Sequence, residues 1–123
     1  MATDLTVGLA DRPGTMAEAT AALARAGINI RGACGYVCDD LGVFHILVDD
    51  AGNARRALID ANFEIRAERQ VVLARVEDRP GAAAALLRRI ADARVNVDLL
   101  YLTVDGHLVV GGESPDKIAA ALG

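Results

Sequence analysis

The sequence predicts an α+β fold. It reads as two tandem ferredoxin-like βαββαβ units, the second lacking its last strand, each an antiparallel sheet with helices on one face. Three observations carry this reading. Asp11-Arg12-Pro13-Gly14 returns as Asp78-Arg79-Pro80-Gly81, an offset of 78 − 11 = 67 residues. The same offset maps one alternating apolar stretch onto another, and one helical apolar face onto another. A single repeated tetrapeptide arises by chance; one embedded in matching strand and helix patterns marks a duplication.

The elements follow in order. Leu5, Val7 and Leu9 alternate with other residues, as do Val72, Ala74 and Val76. That period of two predicts a strand with one buried face. Met16, Ala19, Leu23 and Ala26 share one face of a helix, and Ala83, Leu86, Ile90 and Ala93 repeat that spacing. Ile28-Asn29-Ile30 and Val95-Asn96-Val97 then open a second strand with β-branched residues. In the first unit this strand runs over 28–37, a turn follows at Asp39-Asp40, and a third strand covers 43–48. A second helix over 53–61, capped by Asn62, and a fourth strand over 63–67 complete the unit. In the second unit the strand covers 95–103, Asp105-Gly106 makes the hairpin turn, and 107–111 is the third strand. Ser114-Pro115 starts the final helix. The units are expected at 1–68 and 69–123, and the open edge of strand 71–76 is expected to be paired by another strand.

Composition narrows the function classes. The 123 residues are 53% hydrophobic, which permits a core and argues against disorder. Much of that share is alanine, so each half alone has little apolar surface to bury. The net charge is −4, with no basic stripe and only four aromatic residues, which argues against nucleic-acid binding. No apolar run reaches the ~18 residues of a membrane span, and the N-terminus has no signal-peptide pattern. A cytoplasmic protein that neither binds nor crosses membranes is expected. Cys34 and Cys38 would share a strand face roughly 13 Å apart, too far for a disulfide, so two buried thiols are expected. His45 should face away from the side that Phe44 and Ile46 define. No nucleophile–base pair, metal-ligand set or cofactor motif is visible, so the sequence does not read as an enzyme.

The repeated loop admits two readings. It is a tight turn, with Pro fixing φ and Gly allowing positive φ. It also leads into a helix, whose first N–H groups lack intrahelical partners and suit a carboxylate. Asp11 and Asp78 would attract an ammonium group, and Asn29 and Asn96 offer donor and acceptor. A zwitterion needs both poles close together. Thr15-Met16-Ala17-Glu18 fits a capping box, whereas Ala82 and Ala83 offer none, so two unequal sites are expected.

These residues resemble the ACT domains, small βαββαβ modules attached to enzymes and regulators of amino-acid metabolism. The family pattern is a strand, Asp-Arg-Pro-Gly, a helix and Gly-Ile-Asn-Ile, here Gly27-Ile28-Asn29-Ile30, with Arg94-Val95-Asn96-Val97 in the second copy. The likeness spans nearly the whole chain. It departs from the pattern at Arg94, which replaces Gly, and at Thr15-Met16 and Ala82-Ala83, which replace a larger aliphatic pair. The resemblance implies an amino acid bound between two modules, with the loop of one supplying backbone contacts and strand two of the other closing the site. Carried over, the ligand-binding residues are Asp11, Gly14, Thr15, Met16, Asn29 and Ile30, and Asp78, Gly81, Ala82, Ala83, Asn96 and Val97. It further implies a stand-alone regulatory protein, a homodimer joined through strand two, that signals to a metabolic enzyme or regulator by altered assembly. Family members that only dimerise or dock supply the alternative.

Overall fold

The computed structural model describes residues 2–123. Its elements are β1 (Ala2–Ala10), α1 (Thr15–Arg25), β2 (Ile30–Cys38), β3 (Leu41–Val48), α2 (Ala51–Asp60), β4 (Glu64–Arg75), α3 (Ala82–Asp92), β5 (Leu99–Leu102), β6 (His107–Gly111) and α4 (Pro115–Leu122). The chain divides into two compact units, residues 3–69 and residues 70–123 together with residue 2. The fold class is the α+β plan of tandem βαββαβ units, and among the described residues the second unit holds no strand after α4. No helix of the described residues is long and apolar enough to cross a membrane.

In the first unit the strand order is β2-β3-β1-β4. β1 pairs antiparallel with β3 from Thr3↔Val48 to Ala10↔Leu41, and β2 pairs with β3 from Ile30↔Val48 to Cys38↔Leu41. The alternation of the sequence sets which face is covered. Leu5, Val7 and Leu9 of β1 and Phe44, Ile46 and Val48 of β3 join Ala19 and Leu23 of α1 and Ala54 and Leu58 of α2 in one buried core. The second unit orders its strands β4-β6-β5. Val72 and Ala74 pack there with Ile90 of α3, Leu108 and Val110 of β6 and Ile118 of α4.

Four local readings of the sequence are corrected. Residues 63–67 and 71–76 are not two strands: β4 runs unbroken from Glu64 to Arg75. The intervening Glu68-Arg69-Gln70 contains none of the residues that favour a turn. Strand two of the second unit is shorter than 95–103 and starts at Leu99. Residues 95–98 include Asn96 and Asp98, types that strands disfavour. Helix α2 starts at Ala51 rather than Asn53 because the Asp50 carboxylate caps it, accepting from the Asn53 N–H (3.1 Å) and side-chain amide (2.6 Å). Those two bonds, the backbone one first, hold the Asp50 carboxyl below its usual pKa. Finally, Cys34 is only partly buried and Cys38 is exposed, because both stand on the edge strand β2.

The tight connections have a backbone cause. Asp39 (φ 51°) and Asp40 (φ 63°) are both left-handed, the two-residue hairpin geometry that continues the strand twist. Three helices end through a left-handed residue: Gly27 (φ 74°), Asn62 (φ 68°) and Arg94 (φ 60°). Behind each, an N–H reaches back five residues, Ile28 to Leu23, Phe63 to Leu58 and Val95 to Ile90. Arg94 therefore preserves the turn that glycine makes in the first unit, at a steric cost to its Cβ. Arg94→Gly is expected to raise stability by about 0.5–1 kcal/mol, once the extra chain entropy of glycine is subtracted. Calorimetry should show a melting temperature higher by about 4 °C; an unchanged value would mean that the arginine side chain offsets the strain.

Candidate functional site

Each Asp-Arg-Pro-Gly loop turns its strand into a helix through one left-handed glycine. Gly14 (φ 92°, ψ −7°) caps α1 and Gly81 (φ 87°, ψ −11°) caps α3, and neither helix start receives a side-chain cap. The capping box expected at Thr15-Glu18 does not form. Gly14 takes the cap position, so Thr15 lies within the first turn and its hydroxyl donates back to the Arg12 carbonyl at 3.4 Å. The Glu18 carboxylate instead receives both Arg12 guanidinium nitrogens, at 3.3 and 3.1 Å. Alanine stands at the corresponding position 85 (18 + 67), and Arg79 turns to Glu77 at 2.5 Å. The inequality expected from capping is therefore absent, and a different one replaces it: a charge pair straddles the start of α1 only.

A groove opens beside each loop. The first, of about 290 Å³, is lined by Leu9, Asp11, Gly14, Thr15, Met16 and Val37 among others. The second, of about 370 Å³, is lined by Val76, Asp78, Ala83, Leu102, Thr103 and Val104 among others. Leu9, Asp11, Met16 and Val37 correspond to Val76, Asp78, Ala83 and Val104 at the offset of 67, so the two grooves are copies of one site. Gly81 and Ala82 start the adjoining helix, and Ala82 is buried.

The copies differ by a reciprocal exchange of volume. A Cβ on Gly35 would sit 2.5 Å from Met16 Cε, so the methionine lies where a strand side chain would stand. The counterparts of Met16 and Gly35 are Ala83 and Leu102. The first groove takes its bulk from the helix and the second from the strand. Sequence reading singled out Met16 and Ala83 but missed Gly35, Val37, Leu102 and Val104, whose signal was their match at the repeat offset.

The asparagines lie elsewhere. Ile30 pairs with Val48 at one end of the sheet, whereas the loop adjoins Cys38↔Leu41 at the other. Eight residues of extended strand separate them, roughly 26 Å. Asn96 and Val97 are likewise at the far end of their unit, where the Asn96 carbonyl packs so closely on Gly112 that a Cβ there would meet it at 2.6 Å. Within one unit, Asn29, Ile30, Asn96 and Val97 are not brought to the loop.

Two polar arrangements lie outside these grooves or at their rim. Asp4 is fully buried, and its Oδ2 is 3.0 Å from His45 Nδ1, with the Thr6 hydroxyl 3.3 Å from the carboxylate and 3.2 Å from the imidazole. Tyr36 stacks on the His45 ring at 6.1 Å, and Cys34 stands opposite His45 across the β2–β3 pairing. His45 does face away from Phe44 and Ile46, as expected, yet it is buried. Asp4 was missed because alternation with Leu5 and Val7 assigns it to the outward face, which reads as solvent. Among the described residues no group of three or more His, Cys, Asp or Glu side chains could hold a metal ion. At the rim of the second groove, Thr103 Oγ1 donates to Asp105 Oδ1 at 2.6 Å and accepts from the His107 N–H at 2.9 Å. The Thr103 hydroxyl, aided by His107, holds the Asp105 carboxyl down to about 2.

Comparison with known proteins gives a family-model match to part of the first unit, and a fold. The ACT domain model matches residues 3–34, the β1–α1–β2 part of the first unit. No curated protein matches the sequence significantly. Protein BT0572 from Bacteroides thetaiotaomicron is similar with a TM-score of 0.87 and 27% identity, over 98% of this chain and 85% of that one. The regulatory subunit of aspartate kinase from Thermus thermophilus, in its ligand-free form, gives 0.70 at 20% identity over 98% and 89%. The corresponding subunit from Thermus flavus gives 0.64 at 19% identity over the same shares. The ACT resemblance read from the loop and from Gly27-Ile28-Asn29-Ile30 is thus matched by a family model, and the fold by regulatory subunits.

The Asp105 turn gives a direct test. A depressed carboxyl pKa contributes stability that is fully present above the unfolded value near 3.8 and is lost as pH falls through about 2. Thr103→Val should return the Asp105 pKa toward 3.8, read by NMR titration of its side-chain carboxyl. A value still near 2 would mean that His107, not Thr103, sets it.

Proposed function

We propose that this chain is a non-catalytic regulatory protein that binds a free amino acid at its twin loop grooves and signals by a change of assembly. The observation that supports it most is the duplication of the groove itself. Each copy sets a helix start without a side-chain cap, and a carboxylate from Asp11 or Asp78, beside an apolar recess. The amides suit an α-carboxylate, the aspartate an α-ammonium, and the recess an aliphatic side chain.

The distance of Asn29 and Asn96 from their own loops fits a site closed by a neighbouring module. β2 and β5 stand at the edges of their units, and they expose Tyr36, Val37, Leu100 and Leu102. An edge strand carrying apolar side chains is a surface for pairing with another strand. A homodimer joined through these edges would bring Asn29 and Ile30, or Asn96 and Val97, of one module to the loop of the next. Ligand bound there favours the joined state by its differential affinity, which is the signal. The similarity to aspartate kinase regulatory subunits supports a metabolic enzyme as the recipient. The exposed edges support a second reading, in which the chain only dimerises or docks.

Thermal unfolding against each of the twenty amino acids at millimolar concentration separates the two. A ligand at one hundred times its Kd stabilises the native state by about 2.7 kcal/mol, a shift of several degrees for a chain of this length. Gly81→Val, which forces a β-branched residue into a left-handed turn, should abolish binding at the second groove, and Gly14→Val at the first. Silence across the panel would leave the docking reading.

A further inference from the structure

The two loop grooves share a plan but not their walls. On the first, Met16 reaches from α1 across to β2, with Cε 2.5 Å and Sδ 3.2 Å from where a Cβ on Gly35 would be. Its side chain fills the space over the strand, and Val37, which lines the same groove, is 53% exposed. On the second, the helix presents the single methyl of Ala83, and the strand side presents Leu102 and Val104. Those two are 60% and 89% exposed. The second groove is also larger by about 80 Å³ (370 − 290). It combines more room with more uncovered aliphatic surface, and a large apolar side chain needs both.

Resting on the reading of these grooves as amino-acid sites, we propose that they sort ligands by side-chain size. The second takes a large aliphatic amino acid of leucine size, and Met16 restricts the first to a small one such as alanine. The uncapped helix start and the loop aspartate, Asp11 or Asp78, are common to both copies. They meet the α-carboxylate and α-ammonium that every amino acid carries, and so do not distinguish one amino acid from another. The ligand side chain alone meets positions where the copies differ.

In the second groove a leucine side chain covers Leu102 and Val104 and lies against Val76, in the space that Ala83 leaves. In the first, the same side chain has to displace Met16 from Gly35. A methylene gained or lost in an apolar pocket changes affinity by about tenfold or more. One exchange of methionine for alanine at the helix wall is therefore enough to separate leucine from alanine.

NMR titration of the intact chain with leucine and with alanine reads the two grooves separately, through the amides of 9–17 and 35–37 for the first and of 76–84 and 102–106 for the second. Leucine should saturate the second groove at a concentration about tenfold below that needed for the first, and alanine should show no such preference. Ala83→Met should weaken leucine about tenfold at the second groove, and Met16→Ala should strengthen it by a similar factor at the first. Alanine and methionine both favour helix, and the amide spectrum of each variant reports the retained fold. Leucine saturating both grooves alike overturns the proposal, as does a leucine affinity unmoved by either folded variant. If leucine and alanine move neither groove while another of the twenty amino acids does, the sorting by size is overturned and the amino-acid reading stands. If none of the twenty moves either groove, both fall.

Discussion

The left-handed glycine between strand and helix is the constraint on which the candidate sites depend. At Gly14 and Gly81 the loop closes on one left-handed residue, and the helix begins on the next. Any residue with a Cβ resists that conformation. The early start places Thr15 and Ala82 inside the first turn rather than at the cap, which is why no side chain covers the leading amides. It also sets Asp11 and Asp78 at the lip of the recess, since they precede the turn by three residues. Groove, uncapped amides and carboxylate are consequences of one dihedral angle, repeated at an interval of 67 residues.

The two units solve the same packing problem with different residues. Met16 against Gly35 becomes Ala83 against Leu102, Gly8 under Arg66 becomes Arg75, and Ala22 becomes Arg89. The core positions that face the helices change little in character, since Leu5, Val7 and Ile46 are answered by Val72, Ala74 and Val110, Leu or Val or Ile or Ala throughout. Burial tolerates exchange among apolar residues of similar size. The rims of the grooves are where the copies part.

Much of this was legible in the sequence because the offset could be checked at many positions. Strand alternation at Leu5-Val7-Leu9 and helical spacing at Ala19-Leu23 named core residues that the structure buries. Local chemistry was read less well where two devices competed for one position. Thr15 and Glu18 have the letters of a capping box, but Gly14 took the cap and Arg12 took the carboxylate. Asn29 and Asn96 follow the family pattern, yet no sequence spacing reveals that they stand a full strand length from their own loop. The join of 63–67 and 71–76 into β4 was hidden because one end completes the plan of the first unit and the other opens the second. Asp4 shows a further limit: periodicity separates the two faces of a sheet but does not say whether the outer face meets water.

The exchange of bulk between helix and strand around the grooves also limits how the two halves can be recombined. Met16 needs the space above Gly35, and in the second copy Ala83 and Leu102 stand at those places. A chain that carried residues 11–26 in place of 78–93 would press a methionine onto a leucine, and the opposite graft would leave alanine above glycine with a void between them. Met16 and Leu102 are themselves exposed, so the mismatch falls on the groove wall rather than in the core. Although the duplication gives this protein two copies of one module, each helix is now keyed to its own strand. Copying one loop and helix over the other would therefore not restore symmetry, and the halves are free to diverge only as matched pairs.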